Sequence, residues 1–449
     1  MNSELNTHVP DIQLFDLETM KNPYPTYKKL RDDAPVFYEP AMNMHVVTRY
    51  ELLREVMKDT ETYSSKFDDF MANVQQVAFQ GLSEGNQNEL KSIHQEMISI
   101  PPTMLTLDRP EHTQYRSLVA KLFTAGQVAK SQANVQSVID EMIAAFDDTT
   151  TIDFMDCFAF PVPLRIIGDR LGIPPEKRTF FNEAATAAAA TLKLNPVSPN
   201  ELIHRAQLGL ELQQLLVGLI EARRNEPRED MITILATSKL EQENRFLTHG
   251  EAIGILNQFL VAGHETTTSS FGWGMSLLCQ NPGIQDEIRG DVKMIKTFVE
   301  EALRLEAPVQ GLPRLVTRGT QLGGYDLKAG DLIMARFGAA NRDERQFEGP
   351  DGINLQRPKP GLQMAFGSGV HHCIGAPLAR QELNLGWFSL LESIKNIRLD
   401  ESFPAPEAEP SFILRNLPML NIQFDRWTPT NDNKEGDLVD THEGAASIA

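Results

Sequence analysis

Apolar residues recur at spacings of three and four through most of the chain, the pattern of helices that bury one face. The periodicity predicts helices near 49–58, 111–122, 131–146, 175–193, 200–224, 249–280, 292–305 and 376–394. Strand-like runs are short: Val36–Tyr38, His45–Thr48, Arg314–Thr317, Asp331–Ala335 and Met419–Phe424. No fixed-period repeat and no Gly/Ser- or Pro-rich linker divides the chain. The pattern therefore predicts one large, mainly α domain with small β-sheets over residues 1–427. Residues 428–449 carry little apolar matter and several acids, and read as an acidic, disordered tail.

The longest helical candidate runs from Thr248 to Cys279. Thr248 and Glu251 are spaced as a capping box, and Asn281-Pro282 ends the run because a residue before proline is pushed out of the α region. In its middle lies Ala262-Gly263-His264-Glu265-Thr266-Thr267-Thr268-Ser269-Ser270, a poor helix former whose hydroxyls compete for backbone carbonyls. The sequence alone suggests an opened helix here.

Charge narrows the function. The 61 acidic and 42 basic residues of the 449 give a formal charge of −19, which repels phosphate backbones and anionic lipid. No nucleic-acid partner is expected. The amino terminus lacks a basic segment followed by an apolar one, and no run approaches the ~18 apolar residues a membrane helix needs. The reading is a cytoplasmic protein without a membrane partner. Three cysteines, Cys157, Cys279 and Cys373, form neither a disulfide framework nor a zinc spacing, so each stands alone.

Cys373 has the most telling surroundings: Phe366-Gly367-Ser368-Gly369-Val370-His371-His372-Cys373-Ile374-Gly375-Ala376-Pro377, leading into a helical segment. The glycines let the backbone take positive φ and approach a flat partner closely. Pro377 suits a first helical turn, which places Cys373 just ahead of a helix amino terminus, where free N–H groups favour thiolate. The competing reading of an isolated cysteine is a small buried hydrophobe in a turn.

This run resembles the proximal signature of the cytochrome P450 superfamily, Phe-Gly-x-Gly-x-His-x-Cys-x-Gly, at Phe366, Gly367, Gly369, His371, Cys373 and Gly375. The resemblance implies a single P450-type domain with haem b between a long distal helix and the cysteine loop, and Cys373 as the metal ligand. Further matches follow in the family's order and together span residues 108–380. Glu301 and Arg304 stand one helical turn apart, and with Arg357 correspond to the family's folding staple. His112 and Arg116 share a helical face, and with Arg314 and His371 occupy the positions that bind the haem propionates. Phe366, Gly367, Gly375 and Ala262 would also line the cofactor. Ala262-Gly263-His264-Glu265-Thr266-Thr267 resembles the oxygen-activating motif. By that likeness Gly263 leaves room for O2, Thr266 and Glu265 are the catalytic pair that protonates the distal oxygen, and His264 is a packing residue.

The expected substrate pocket is mainly apolar and contains Gln258, Val261, Ala262, Val309 and Gln310; either glutamine could hold a substrate carbonyl or hydroxyl, or merely satisfy backbone groups. Segment 65–107, with Phe67, Phe70, Phe79 and Met97, is a candidate lid, and the Ala-rich stretch 184–193 either leaves room or packs closely. The resemblance implies a monooxygenase that inserts one atom of O2 into a small apolar molecule. One fold fills the chain, so electrons are expected from NAD(P)H through a separate ferredoxin and ferredoxin reductase. Their docking face is expected to carry a basic patch including Lys121 and Arg380. A peroxide-driven hydroxylase and a non-catalytic haem sensor are the rival readings; the Glu265–Thr266 pair argues against both.

Overall fold

The element that organises the fold is the helix His249–Gln280, 32 residues long and so about 48 Å from end to end. The predicted capping box starts it: Glu251 N–H donates to Thr248 Oγ1 at 3.2 Å and Thr248 N–H to Glu251 Oε2 at 2.7 Å. The expected opening in its middle does not occur. Thr266 Oγ1 donates to the Ala262 carbonyl at 2.6 Å and Ser270 Oγ to that of Thr266 at 2.8 Å. The hydroxyls thus add to the backbone ladder instead of displacing it, and tertiary burial overrides weak propensity.

The computed structural model describes residues 12–68, 79–146, 149–190, 197–240 and 242–427. The tail at 428–449 and Phe70 of the candidate lid lie outside them. Around the long helix pack Pro161–Leu171, Met294–Leu305 and Ala376–Ser393, and Ala125–Ala144 packs on the first and last of these. Closest approach to Ala376–Ser393 depends on two glycines: a Cβ on Gly274 would lie 2.5 Å from Trp387 Cζ2, and one on Gly386 2.6 Å from Phe271 Cε1. At this crossing Phe158 meets Phe271 and Phe298 meets Trp387 edge to face, and Phe271 and Trp387 lie tilted against each other.

A five-stranded sheet flanks the helices, in the order Val36–Glu39, Met44–Val47, Leu332–Ala335, Leu312–Val316, Tyr63–Ser64. Leu332–Ala335 runs parallel to Met44–Val47; the other pairs are antiparallel. Its register sets Arg314 opposite Ile333, with Arg314 buried. A second sheet joins Ile394–Leu399, Asn421–Arg426 and Thr151–Asp153. The architecture is mainly α with small sheets, as the periodicity predicts.

The differences are local. Helices Tyr24–Asp33, Glu84–Glu96, Pro161–Leu171 and Pro282–Gly290 are additional to those expected. Three of these four carry a proline in the first turn or at the cap, a position that tolerates it yet looks like a breaker in sequence. Helix 376–394 stops at Ser393, where the chain turns directly into a strand. Ala184 and Ala185 are buried in the main core and Ala189 is buried too, so the described part of the Ala-rich stretch packs closely. Leu90, Ile93 and Ile203, with Phe79 and Met97 against them, form a small cluster separate from that core.

Candidate active site

The Cys373 loop is shaped by two left-handed glycines, Gly367 at φ 68° and Gly369 at φ 71°; a Cβ on Gly369 would lie 2.3 Å from the Met57 carbonyl. Cys373 N–H closes the loop on the Phe366 carbonyl at 2.8 Å. The helix Ala376–Ser393 begins just beyond, with Pro377 in its first turn. Burial pushes the Cys373 thiol up; the backbone N–H groups of Gly375 and Ala376 and the charges of Arg116 and Arg380 pull the other way. The sulfur is thus ready to bind a cation that replaces its proton. Among the described residues no group of three or more His, Cys, Asp or Glu side chains could hold a metal.

The structure brings His112, Arg116, Arg314 and His371 to this loop. The His112 and His371 rings lie 4.3 Å apart. Both ring nitrogens of His112 and Nε2 of His371 are buried without a hydrogen-bond partner. Burial, with Arg116 and Arg109, takes His112 down to about 4; burial, with Arg314 and His112, takes His371 to about 3. Among the described residues Arg314, buried, donates only to the adjacent Pro313 carbonyl at 2.7 Å, and burial lowers it to about 10 against the pull of Asp108. Asp108 is itself held by Ser64 Oγ at 2.5 Å and Ser65 N–H at 2.8 Å. Arg116 Nη2 donates to the His372 carbonyl at 2.6 Å. Among the described residues the ring nitrogens of His112 and Nε2 of His371 find no acceptor, and Asp108 is the one carboxylate acting on His112 and Arg314, an arrangement that costs desolvation energy unless further acceptors fill it. The residues fit a porphyrin with acidic side arms whose iron meets Cys373.

On the long helix Ala262 is exposed although most of the helix is buried, so its stripe borders open space. Thr266, one turn on, is half-buried on the same stripe. Glu265 is buried and accepts from Asn416 Nδ2 at 3.0 Å. His264 packs edge-on against Phe160 at 4.5 Å. An added Cβ on Gly263 would meet Ile167 Cδ1 at 3.2 Å, so this face of the glycine packs against helix Pro161–Leu171. Gln258, half-buried, gives its amide N–H to Thr103 Oγ1. Gln310, 1% exposed, donates to the Ala307 carbonyl at 2.8 Å, with Oε1 unpartnered against Gly338. Both amides thus engage protein groups. Val261 and Val309 are half-buried, Val309 bridging to Leu414. Asn416 had no signal in the sequence: an asparagine in RNLPM says nothing until the turn is brought to the helix.

Glu301 is the hub of a fully buried network. Arg304 reaches it with two bonds of 2.7 and 2.9 Å, Arg357 Nε with one of 2.7 Å and Asn354 N–H with one of 3.0 Å. Arg304 also donates to the carbonyls of Asn341, Pro350 and Gly352. The expected basic patch is altered. Lys121 is exposed, but Arg380 is neutralised by Glu300 at 2.5 and 3.1 Å and lies 4.4 Å from the Phe366 ring centroid.

A lone thiol in a glycine-shaped loop, with His112, Arg116, Arg314 and His371 gathered beside it, is the construction of a haem-thiolate protein. The family model for cytochrome P450 matches residues 94–420, and the chain belongs to that family. It is 31% identical to cytochrome P450 109 of Bacillus spizizenii over 88% of this chain and 91% of the relative. It is 30% identical to the cytochrome P450 monooxygenase PikC of Streptomyces venezuelae over 93% and 95%. Among solved structures, CYP109Q5 from Chondromyces apiculatus superposes with a TM-score of 0.79 at 26% identity, covering 93% of this chain and 99% of that one. The protein is accordingly a haem-thiolate monooxygenase that uses O2 as co-substrate. No helix among the described residues is long and apolar enough to cross a membrane.

Proposed function

We propose that Cys373 is the axial thiolate and that the enzyme inserts an oxygen atom into a mainly apolar small molecule, with electrons from NAD(P)H passing through a separate ferredoxin and its reductase. The observation that carries this reading is the cluster beside Cys373 in which the ring nitrogens of His112 and Nε2 of His371 are buried without acceptors next to the buried Arg314. When bound, haem supplies oxygen activation and oxygen-atom transfer. His112, Arg116, Arg314 and His371 would hold the two propionates, which would give the His112 and His371 ring nitrogens the acceptors they lack. The N–H groups of Gly375 and Ala376 temper the charge on the Cys373 sulfur, while Phe366, Gly367 and Gly375 shape the loop on the porphyrin face.

On the opposite side, Thr266 holds its hydroxyl on the Ala262 carbonyl, a bond that rotation of the side chain can exchange for one into the pocket. Glu265 holds a proton-carrying carboxyl one residue away. The pair directs protons to the distal side, and Val261, Ala262 and Val309 keep the substrate space apolar. An apolar substrate agrees with what solved relatives accommodate: CYP109E1 from Bacillus megaterium, 26% identical, is described in complex with testosterone, and P450BioI, also 26% identical, with a hexadecenoic acid on acyl carrier protein. Because Gln258 and Gln310 have protein partners, we assign substrate selection mainly to shape. A screen of small molecules by haem spin-state shift tests this. The reading expects apolar compounds to expel distal water and Gln310→Leu to leave their ranking unchanged; a preference for charged ligands contradicts it.

A further inference from the structure

We infer that Asn416 is a positioning residue for Glu265, and that the turn carrying it governs how readily this carboxylate serves Thr266. The inference rests on the reading of Glu265 as proton carrier. Its ground is a stripe of the long helix that the sequence did not mark. Glu265, Ser269 and Trp273 are spaced by four and lie on one face. All three bond to two consecutive residues of one turn. Asn416 Nδ2 donates to Glu265 Oε2 at 3.0 Å, while Ser269 Oγ and Trp273 Nε1, the latter at 3.0 Å, both donate to the Arg415 carbonyl.

The turn is itself rigid. Arg415 N–H donates to the Pro308 carbonyl at 2.9 Å and Glu409 N–H to that of Asn416 at 2.9 Å. The Arg415 guanidinium is turned elsewhere, onto Glu306 at 2.6 Å and the Lys21 carbonyl at 2.5 Å. What the turn offers Glu265 is therefore a neutral amide on a fixed backbone. A hydrogen bond to a charged group is about twice as strong as one between neutral groups, enough to set a resting orientation. Successive helical positions are rotated by about 100°, so the Asn416 side of the helix is not the Ala262–Thr266 side. To act beside Thr266, the carboxyl must leave Asn416. A lysine or arginine in that place would hold it more tightly; an apolar residue would not hold it.

The test uses the full-length holoenzyme with a surrogate ferredoxin and reductase and testosterone as probe, comparing Asn416→Leu, Asn416→Asp, Glu265→Gln and the double variant Glu265→Gln/Asn416→Leu. Asn416→Leu keeps the side chain's heavy-atom count and removes the donor, whereas Asn416→Asp keeps the shape and sets a second carboxyl against Glu265, so that the two repel or share a proton. The readouts are product and peroxide per NAD(P)H, the solvent deuterium isotope effect, thermal midpoint, and the Glu265 carboxyl infrared band by difference against Glu265→Gln. Peroxide per NAD(P)H still gives the comparison if testosterone is not hydroxylated. Expected are a band shift, an altered isotope effect, and at least a threefold fall in product, or rise in peroxide, per NAD(P)H for Asn416→Leu. Its KM and thermal midpoint stay near the parent's, and it has no further effect once Glu265 is Gln. Parent-like coupling and isotope effect in Asn416→Leu beside a responsive Glu265→Gln overturn the inference alone, as does an equal effect of Asn416→Leu in both backgrounds. A silent Glu265→Gln overturns the reading beneath it and this inference with it. If Asn416→Leu fails to fold, Asn416→Asp decides by the same criteria.

Discussion

Replacing Glu301 with glutamine is the sharpest perturbation of the proximal architecture. The carboxylate accepts four bonds, three from two buried guanidinium groups and one from Asn354 N–H. Burial pushes Glu301 up, but Arg304, Arg357 and the Asn354 N–H outweigh it and leave the carboxyl below its ordinary value. Burial also lowers Arg304, yet a guanidinium does not release its proton near neutrality, so the cluster stays ionised. Glutamine keeps the shape, loses the charge and offers only one acceptor oxygen. Breaking a buried pair from one side costs about 3–5 kcal/mol. The bonds from Arg304 to three carbonyls and from Arg357 to Glu348 soften this, placing the loss near the lower end, about 3 kcal/mol. With an unfolding entropy of about 2.1 cal/mol/K per residue, each kcal/mol shifts the midpoint of a chain this long by roughly 1 °C. Thermal unfolding of the purified holoprotein, with haem retention after gel filtration, measures it. A midpoint within about 1 °C of the parent for both Glu301→Gln and Arg304→Lys, with haem fully retained, refutes the reasoning, because lysine cannot replace the fork-shaped donor set.

Three further outcomes follow from the same physics. Burial pushes Glu251 up, but Arg245, Tyr115 and Thr248 bring it to about 2; its stabilising contribution is present above the unfolded value of about 4.3 and disappears as pH falls toward 2, so Glu251→Gln flattens stability against pH in that window of an acid titration. Gly386→Ala, whose Cβ would meet Phe271 at 2.6 Å, costs about 1–3 kcal/mol by overpacking, whereas Gly218→Ala, with nothing within 4 Å, stabilises by about 0.4–1 kcal/mol; denaturant midpoints separate the two. Arg314→Ala removes one of the four donors and lowers the haem-to-protein ratio after desalting, and an unchanged ratio contradicts its place in the cradle.

Much of this site was legible because its chemistry is carried by short contiguous runs. The glycines around Cys373, the spacing of Glu301 and Arg304, and the Glu265–Thr266 pair all declare themselves locally. The long helix was legible for the same reason, through its capping box and Asn281-Pro282. What could not be read were contacts made by distant residues. Glu265 is held from position 416 and Gln258 from position 103, and Arg380 on helix Ala376–Ser393 meets Glu300 on helix Met294–Leu305. Pro161–Leu171 was hidden because Pro161 and Pro163 suggest a break where they fill the first turn. The opening expected at Ala262–Ser270 failed for an energetic reason: the hydroxyls found carbonyls one turn back without releasing the ladder.

The central claim is that the sulfur of Cys373 is the ligand of haem iron, and the spectrum of the reduced protein with carbon monoxide tests it most directly. The account predicts a thiolate-type Soret band from the parent and its loss in Cys373→Ser and Cys373→Ala. A parent protein that binds haem but shows only a non-thiolate band, or a Cys373→Ala protein that keeps the thiolate-type band, would contradict it.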